Sequence, residues 1–190
     1  MNTLYPIFLK TENFNILIVG AGFVGTEKLS FILKNSPNAN ITVVAKDFND
    51  EILSIVENKQ TIFLIQKLFE KSDLDNKQLV IAATADKLLN EEIYRAAKEK
   101  NILINVADTP DLCDFYLGSI VTKGDLKIAI STNGKSPTLS KRIREFFEAI
   151  LPENIDELIL NLHDYRNTLK GNFEEKVNKL NEITSSFLKK

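Results

Sequence analysis

Two stretches of this chain combine residue types that can do chemistry. Asn105-Val106-Ala107-Asp108-Thr109-Pro110 ends an apolar run in a carboxylate, and Ser131-Thr132-Asn133-Gly134-Lys135-Ser136-Pro137 opens a helical pattern with cations in its first turns. Asp108 lies at the carboxyl end of what reads as a buried strand, where open α/β sheets bind their ligands. There it can accept a proton or approach a metal; as a turn residue it can instead bond its own backbone. In the second stretch Ser136 suits an N-cap and Pro137 the first helical position. Lys135, Lys141, Arg142 and Arg144 crowd that helix start. It therefore reads either as a receiver for anions or as a capped helix with a solvated basic face. Gly134-Lys135-Ser136 does not make a Walker A loop, because the upstream glycine that loop needs is Ala129.

A third stretch, Gly20-Ala21-Gly22-Phe23-Val24-Gly25, follows an apolar run and precedes a helical pattern. The first glycine permits a tight turn, the second lets a pyrophosphate approach the backbone, and the third allows close packing of helix on strand. A dinucleotide is the expected ligand. The acid that would hold the adenosine ribose is off register: Ala45 and Lys46 stand before Asp47, which either serves that role or caps the next helix. NAD is therefore favoured over NADP. Asp111, Cys113 and Asp114 could be read as metal ligands, but a lone thiol between turn carboxylates is more often a small buried residue. His163, the sole histidine, lies in a helical apolar stripe and reads as packing or surface. No metal site is expected.

These residues need a scaffold. Apolar runs at 15–19, 41–45, 61–65, 79–83 and 102–106 alternate with helical spacing, including Ile52-Ile55-Val56 and Ile93-Ala96-Ala97. Near-continuous apolar strands separated by helices imply a parallel sheet covered on both faces. Residues 116–122 and 126–131 then read as a β-hairpin around Lys123-Gly124-Asp125. Beyond Pro137 three apolar stripes follow, the last formed by Phe173, Val177, Leu180 and Phe187. The expected class is α/β: a Rossmann-type parallel sheet over 1–112, a β-rich segment over 113–150 and a small helical region over 151–190. The late stripes have little sequence of their own to pack against, so a homodimer is expected.

Composition bounds the rest. The chain has 190 residues, of which 44% are hydrophobic and 26% charged. Its formal net charge is −2, which gives no general attraction to nucleic acid or anionic lipid. One cysteine excludes an intramolecular disulfide and fits a reducing compartment. The first residues lack a basic and then apolar leader pattern, and no run approaches the roughly 20 apolar residues of a membrane span. A cytoplasmic protein, independent of membrane and nucleic acid, is expected.

Five separated blocks, in order, resemble the precorrin-2 dehydrogenase family of sirohaem synthesis. They are Tyr5-Pro6-Ile7-Phe8-Leu9, the glycine turn with its strand, Ala82-Ala83-Thr84 followed by Leu89-Asn90, Asn105-Val106-Ala107-Asp108, and Ser131 to Pro137 with Lys141-Arg142-Ile143-Arg144-Glu145. The resemblance implies an NAD-binding Rossmann domain, a β-rich dimerisation segment over 113–150 and a C-terminal helical domain, and oxidation of precorrin-2 to sirohydrochlorin with NAD⁺ as hydride acceptor; some members also insert Fe²⁺ to give sirohaem. It places the key aspartate at Asp108 and cofactor contacts at Gly20, Gly22, Phe23, Val24, Gly25, Lys46, Asp47 and Thr84. Substrate contacts fall on Thr132, Asn133, Gly134, Lys135, Ser136, Lys141 and Arg142. Glu27 departs from the family, which often has arginine there. A nucleotide-sensing regulatory Rossmann domain without catalysis is the alternative, sharing the glycine turn but not the Asn-Gly-Lys-Ser-Pro helix start.

Overall fold

The structure, a computed structural model, describes residues 2–185; Phe187 of the third stripe lies outside the described residues. The chain divides into two compact units, Met1–Leu117 with Asn133–Lys135 and Gly118–Thr132 with Ser136–Lys190.

In the first unit β1 (Asn15–Val19), β2 (Asn40–Ala45), β3 (Ile62–Gln66), β4 (Leu79–Ala82) and β5 (Leu103–Val106) form one parallel sheet in the order β3-β2-β1-β4-β5. Successive side chains of a strand face opposite ways, so β1 sends Ile16 and Ile18 to one core and Leu17 and Val19 to the other. The helix α1 (Phe23–Asn35) brings Leu29, Ile32 and Leu33 to the first core. On the opposite face α3 (Lys87–Glu99) brings Ile93, Ala96 and Ala97, whose small alanines let the helix approach closely. The short helix α2 (Asp50–Val56) buries Ile52 in the first core.

The two-sided cover stops at β3. Ile62 and Leu64 face the first core, whereas Phe63 is 59% exposed and Ile65 40%. The cause is the link from β3 to β4, which is a 3-10 turn at Lys71–Leu74 and not a helix; its Leu74 reaches only the second core.

The second unit begins with the expected hairpin, β6 (Ser119–Lys123) and β7 (Leu126–Ile130), paired antiparallel. Its first strand starts at Ser119, not at Tyr116. The helix α4 (Pro137–Ile150) packs on both strands, and its buried Ser140 meets the Ser119 hydroxyl at 3.3 Å. The hairpin turn is fastened to α5 (Ile155–Thr168) and to the end of α4: the Asp125 N–H donates to Asp156 Oδ1 at 2.8 Å, and Lys123 Nζ donates to Leu151 O, just past α4, at 2.7 Å. α6 (Phe173–Thr184) packs on α5 and opens with a capping box between Asn172 and Glu175. Leu139, Phe146, Ile150, Leu160 and Phe173 stay exposed on these helices.

Candidate active site

The glycine turn leaves β1 in the centre of the sheet, between β2 and β4, where the strand order reverses. Gly20 has φ +101°, and a Cβ there would stand 2.5 Å from Ala83 O. A Cβ on Gly25 would run into the Gly20 carbonyl oxygen. The fold itself requires both glycines. Gly22 is different: it has φ −74°, and an added Cβ meets nothing within 4 Å. It caps α1 without a side-chain hydrogen bond, and the first helical turn carries no acidic residue. The helix thus presents its leading N–H groups and positive dipole end beside room that a side chain would fill, which fits a pyrophosphate. Phe23 is exposed at the turn, while Val24 packs inward on the first core.

Lys46 and Asp47 follow β2 and are both exposed. Asp47 does not cap the next helix. That position belongs to Asn49, whose Oδ1 accepts from Ile52 N at 2.8 Å and whose Nδ2 donates to Ala21 O at 3.5 Å. Asn49 thereby ties the β2–α2 loop to the glycine turn. Asn three residues before an apolar Ile is an N-cap pattern, the local signal that marks Asn49 and not Asp47. Among the described residues Asp47 accepts a hydrogen bond from the Gln66 amide alone, at 3.5 Å.

Thr84 follows β4. Its hydroxyl donates to Asn90 Oδ1 at 2.7 Å, and Asp86 caps α3 by accepting from Leu88 N at 2.9 Å and Leu89 N at 3.2 Å.

Asp108 leaves β5 with φ +56°, a region that asparagine and aspartate tolerate better than other side chains do. The self-bonded turn does not form. Thr109 makes the turn, its hydroxyl donating to Ala107 O at 3.3 Å, and no hydrogen bond or ion pair with a described residue engages the exposed Asp108 carboxylate. The loop that presents it is closed at its base. Val106 N donates to Cys113 Sγ at 3.3 Å, Ile104 N to Asp114 Oδ2 at 3.1 Å, and Asp114 N to Ile104 O at 2.8 Å. Asn105, buried, donates to Phe115 O at 2.8 Å and Cys113 Sγ at 3.4 Å. Cys113 is therefore a brace, and burial pushes its thiol up from its ordinary range. The hydrogen bond that Lys98 Nζ donates to Asp114 Oδ1 at 2.7 Å pushes the Lys98 ammonium up from its ordinary range.

At the start of α4 the Ser136 hydroxyl accepts from Leu139 N at 3.2 Å, the expected cap. Thr132 Oγ1 accepts from Ser136 N and donates to Ser136 O, both at 3.1 Å, which closes a short loop. Asn133 and Gly134 turn it with φ +56° and +74°. The cations there are unequal. Arg142 is held by Glu145 at 2.8 Å and Arg144 by Glu148, whereas no described side chain pairs Lys135 or Lys141. The Arg142 hydrogen bond holds the Glu145 carboxyl below its usual range. Among the described residues no three His, Cys, Asp or Glu side chains converge as a metal cage, and no helix is long and apolar enough to cross a membrane.

Residues 7–119 match a family described as putative NAD(P)-binding, and residues 123–150 match one described as sirohaem biosynthesis protein central. The chain belongs to the NAD(P)-binding family of sirohaem biosynthesis. Among its relatives, the siroheme synthase of Pseudoalteromonas atlantica is 39% identical over 169 residues, which is 89% of this chain and 36% of that protein. The siroheme synthase of Psychromonas ingrahamii is also 39% identical, over 87% of this chain and 34% of its own. The chain thus spans about a third of the length of these relatives. The solved structure of SirC, a precorrin-2 dehydrogenase, superposes with a TM-score of 0.74 at 27% identity, over 95% of this chain and 89% of that one. The Rossmann-type sheet, the two-stranded addition and the C-terminal helices of this sirohaem-family chain match that fold.

Proposed function

We propose that the chain oxidises precorrin-2 to sirohydrochlorin in sirohaem synthesis. The likeness to a precorrin-2 dehydrogenase over nearly the whole of both chains carries this reading. Bound NAD⁺ supplies the acceptor for the hydride that leaves the reduced macrocycle. The chain's residues do the rest. Gly22 and the start of α1 take the pyrophosphate, with Gly20, Phe23, Val24 and Gly25 shaping the turn; Asp47, beside Lys46, accepts the ribose hydroxyls, which favours NAD over NADP. Asp108, a carboxylate unengaged by the described residues, takes the proton lost as the macrocycle is oxidised. Lys135 and Lys141, which make no salt bridge with a described residue, together with Arg142 and the loop Thr132-Asn133-Gly134-Ser136, bind substrate carboxylates. One hydride and one proton leave precorrin-2, so the products are sirohydrochlorin, NADH and a proton.

Incubating the pure protein with precorrin-2 and NAD⁺ tests this. Appearance of the sirohydrochlorin spectrum with matching NADH is expected. NAD⁺ binding without turnover would instead favour a nucleotide-sensing domain. Adding Fe²⁺ to the same mixture asks whether sirohaem follows faster than without protein; no acceleration marks a dehydrogenase only.

The exposed apolar side chains of α4, α5 and α6 support a homodimer, since each would otherwise leave apolar surface in water. Light scattering at micromolar concentration is expected to give twice the chain mass. The single cysteine supports a cytoplasmic location.

A further inference from the structure

We infer that Asn90 is a positioning residue for the cofactor turn, because its buried amide holds Thr84 at the backbone and hydroxyl where Thr84 abuts Gly20. This rests on the glycine turn being the NAD(P) site.

Asn90 is 6% exposed, and three of its hydrogen bonds go to one residue. Its Oδ1 accepts from Thr84 N at 3.2 Å and from the Thr84 hydroxyl at 2.7 Å, and its Nδ2 donates to Thr84 O at 3.1 Å. The helix does not need this residue as a cap, since Asp86 already serves α3. The amide instead fixes the peptide groups on both sides of Thr84. Those groups bear on the cofactor turn: the space of a Gly20 side chain is taken by Ala83 O at 2.5 Å and Thr84 N at 3.0 Å. A shift of the Ala83–Thr84 peptide by a fraction of an ångström must therefore move Gly20, and with it the N-terminus of α1. The Thr84 hydroxyl proton has protein acceptors within reach, Asn90 Oδ1 at 2.7 Å and Asp86 O at 3.0 Å. Thr84 thus bears on the site through its backbone, with its hydroxyl proton turned to the protein.

The test is isothermal titration of NAD⁺ into the full chain and its Asn90→Ala and Asn90→Asp variants, with precorrin-2 kinetics at saturating NAD⁺. Loss of the clamp is expected to raise the Kd for NAD⁺ by about tenfold in Asn90→Ala, the size of one or two hydrogen bonds. The kcat at saturating NAD⁺ and the KM for precorrin-2 are expected to stay within about twofold, because the loop of Asp108 is braced separately. Asn90→Asp preserves the shape and the two acceptor bonds but turns an oxygen toward Thr84 O, so it too is expected to weaken NAD⁺ binding. It carries the test alone if Asn90→Ala does not fold. Wild-type NAD⁺ affinity in a folded variant overturns the inference, as does an equal loss of kcat and affinity. Failure of the wild type itself to bind NAD⁺ would overturn the cofactor reading instead.

Discussion

Cys113 sits directly on Val106: its sulfur accepts from the Val106 N–H at 3.3 Å and lies 3.3 Å from the Val106 carbonyl oxygen, to which the thiol donates. A side chain seven positions along thus does what a neighbouring strand would otherwise do. Burial, the largest cause, raises the thiol, and the charge of Asp114 adds to this. A raised pKa means that the folded chain holds its proton more tightly than the unfolded chain does. The stabilisation is therefore complete below the ordinary thiol range and lost as pH climbs through the folded value. Between about pH 8 and 10 the melting temperature of the wild type is expected to fall more steeply than that of Cys113→Ser, whose hydroxyl does not titrate. Parallel curves in scanning calorimetry would contradict this.

Gly22→Val and Gly25→Ala are expected to fail in different ways. The Cβ of the first meets no protein atom within 4 Å, so this variant should fold and melt within a few degrees of the wild type, while NAD⁺ affinity drops by on the order of 10² or more. The second collides with Gly20 O and should lose stability before any question of binding arises. Circular dichroism melts alongside titration calorimetry separate the two; unchanged NAD⁺ affinity in folded Gly22→Val would remove the cofactor from this turn.

Asp108→Asn is the cleaner probe of the proposed base. Asparagine adopts the +56° backbone nearly as readily as aspartate, whereas alanine there adds about 1 kcal/mol of strain. Both variants are expected to lower kcat for sirohydrochlorin formation by on the order of 10², with NAD⁺ affinity nearly intact. Turnover near the wild-type rate in Asp108→Asn would return this residue to a turn role.

Lys135→Ala is expected to raise KM for precorrin-2 several-fold with little change in kcat, the signature of lost ground-state binding. Arg142→Ala should do less, because Glu145 already holds that guanidinium at 2.8 Å. Equal effects from the two in steady-state kinetics would show that the pairing with Glu145 gives way to substrate.

Much of this was legible in the residues. Strand cores of consecutive β-branched and aliphatic side chains, such as Ile16-Leu17-Ile18-Val19, announce burial on both faces, and the glycine spacing fixes where the turn falls. Ser136 before Pro137 was an unambiguous cap. The open face of β3 was not legible, because Phe63 and Ile65 are as apolar as their buried neighbours; only the absence of a helix before β4 exposes them. Pairing was hidden too. Nothing local shows that Glu145 pairs with Arg142 at 2.8 Å and not with Lys141, or that Cys113 belongs to the edge of β5 and not to a cluster with Asp111. Contacts such as Asn90 with Thr84 have no periodic signature, because they depend on how a turn folds back on the helix that follows it.

The capping of β5 also settles how far the sheet can grow. The outward N–H groups of Ile104 and Val106 and the carbonyl of Ile104 are occupied by Asp114 and Cys113. An incoming strand, from an unfolded chain or from a second copy, finds no ladder to join along that margin. Removing either brace would uncover a template for strand addition, and accelerated self-association on mild heating is the hazard to expect of such variants.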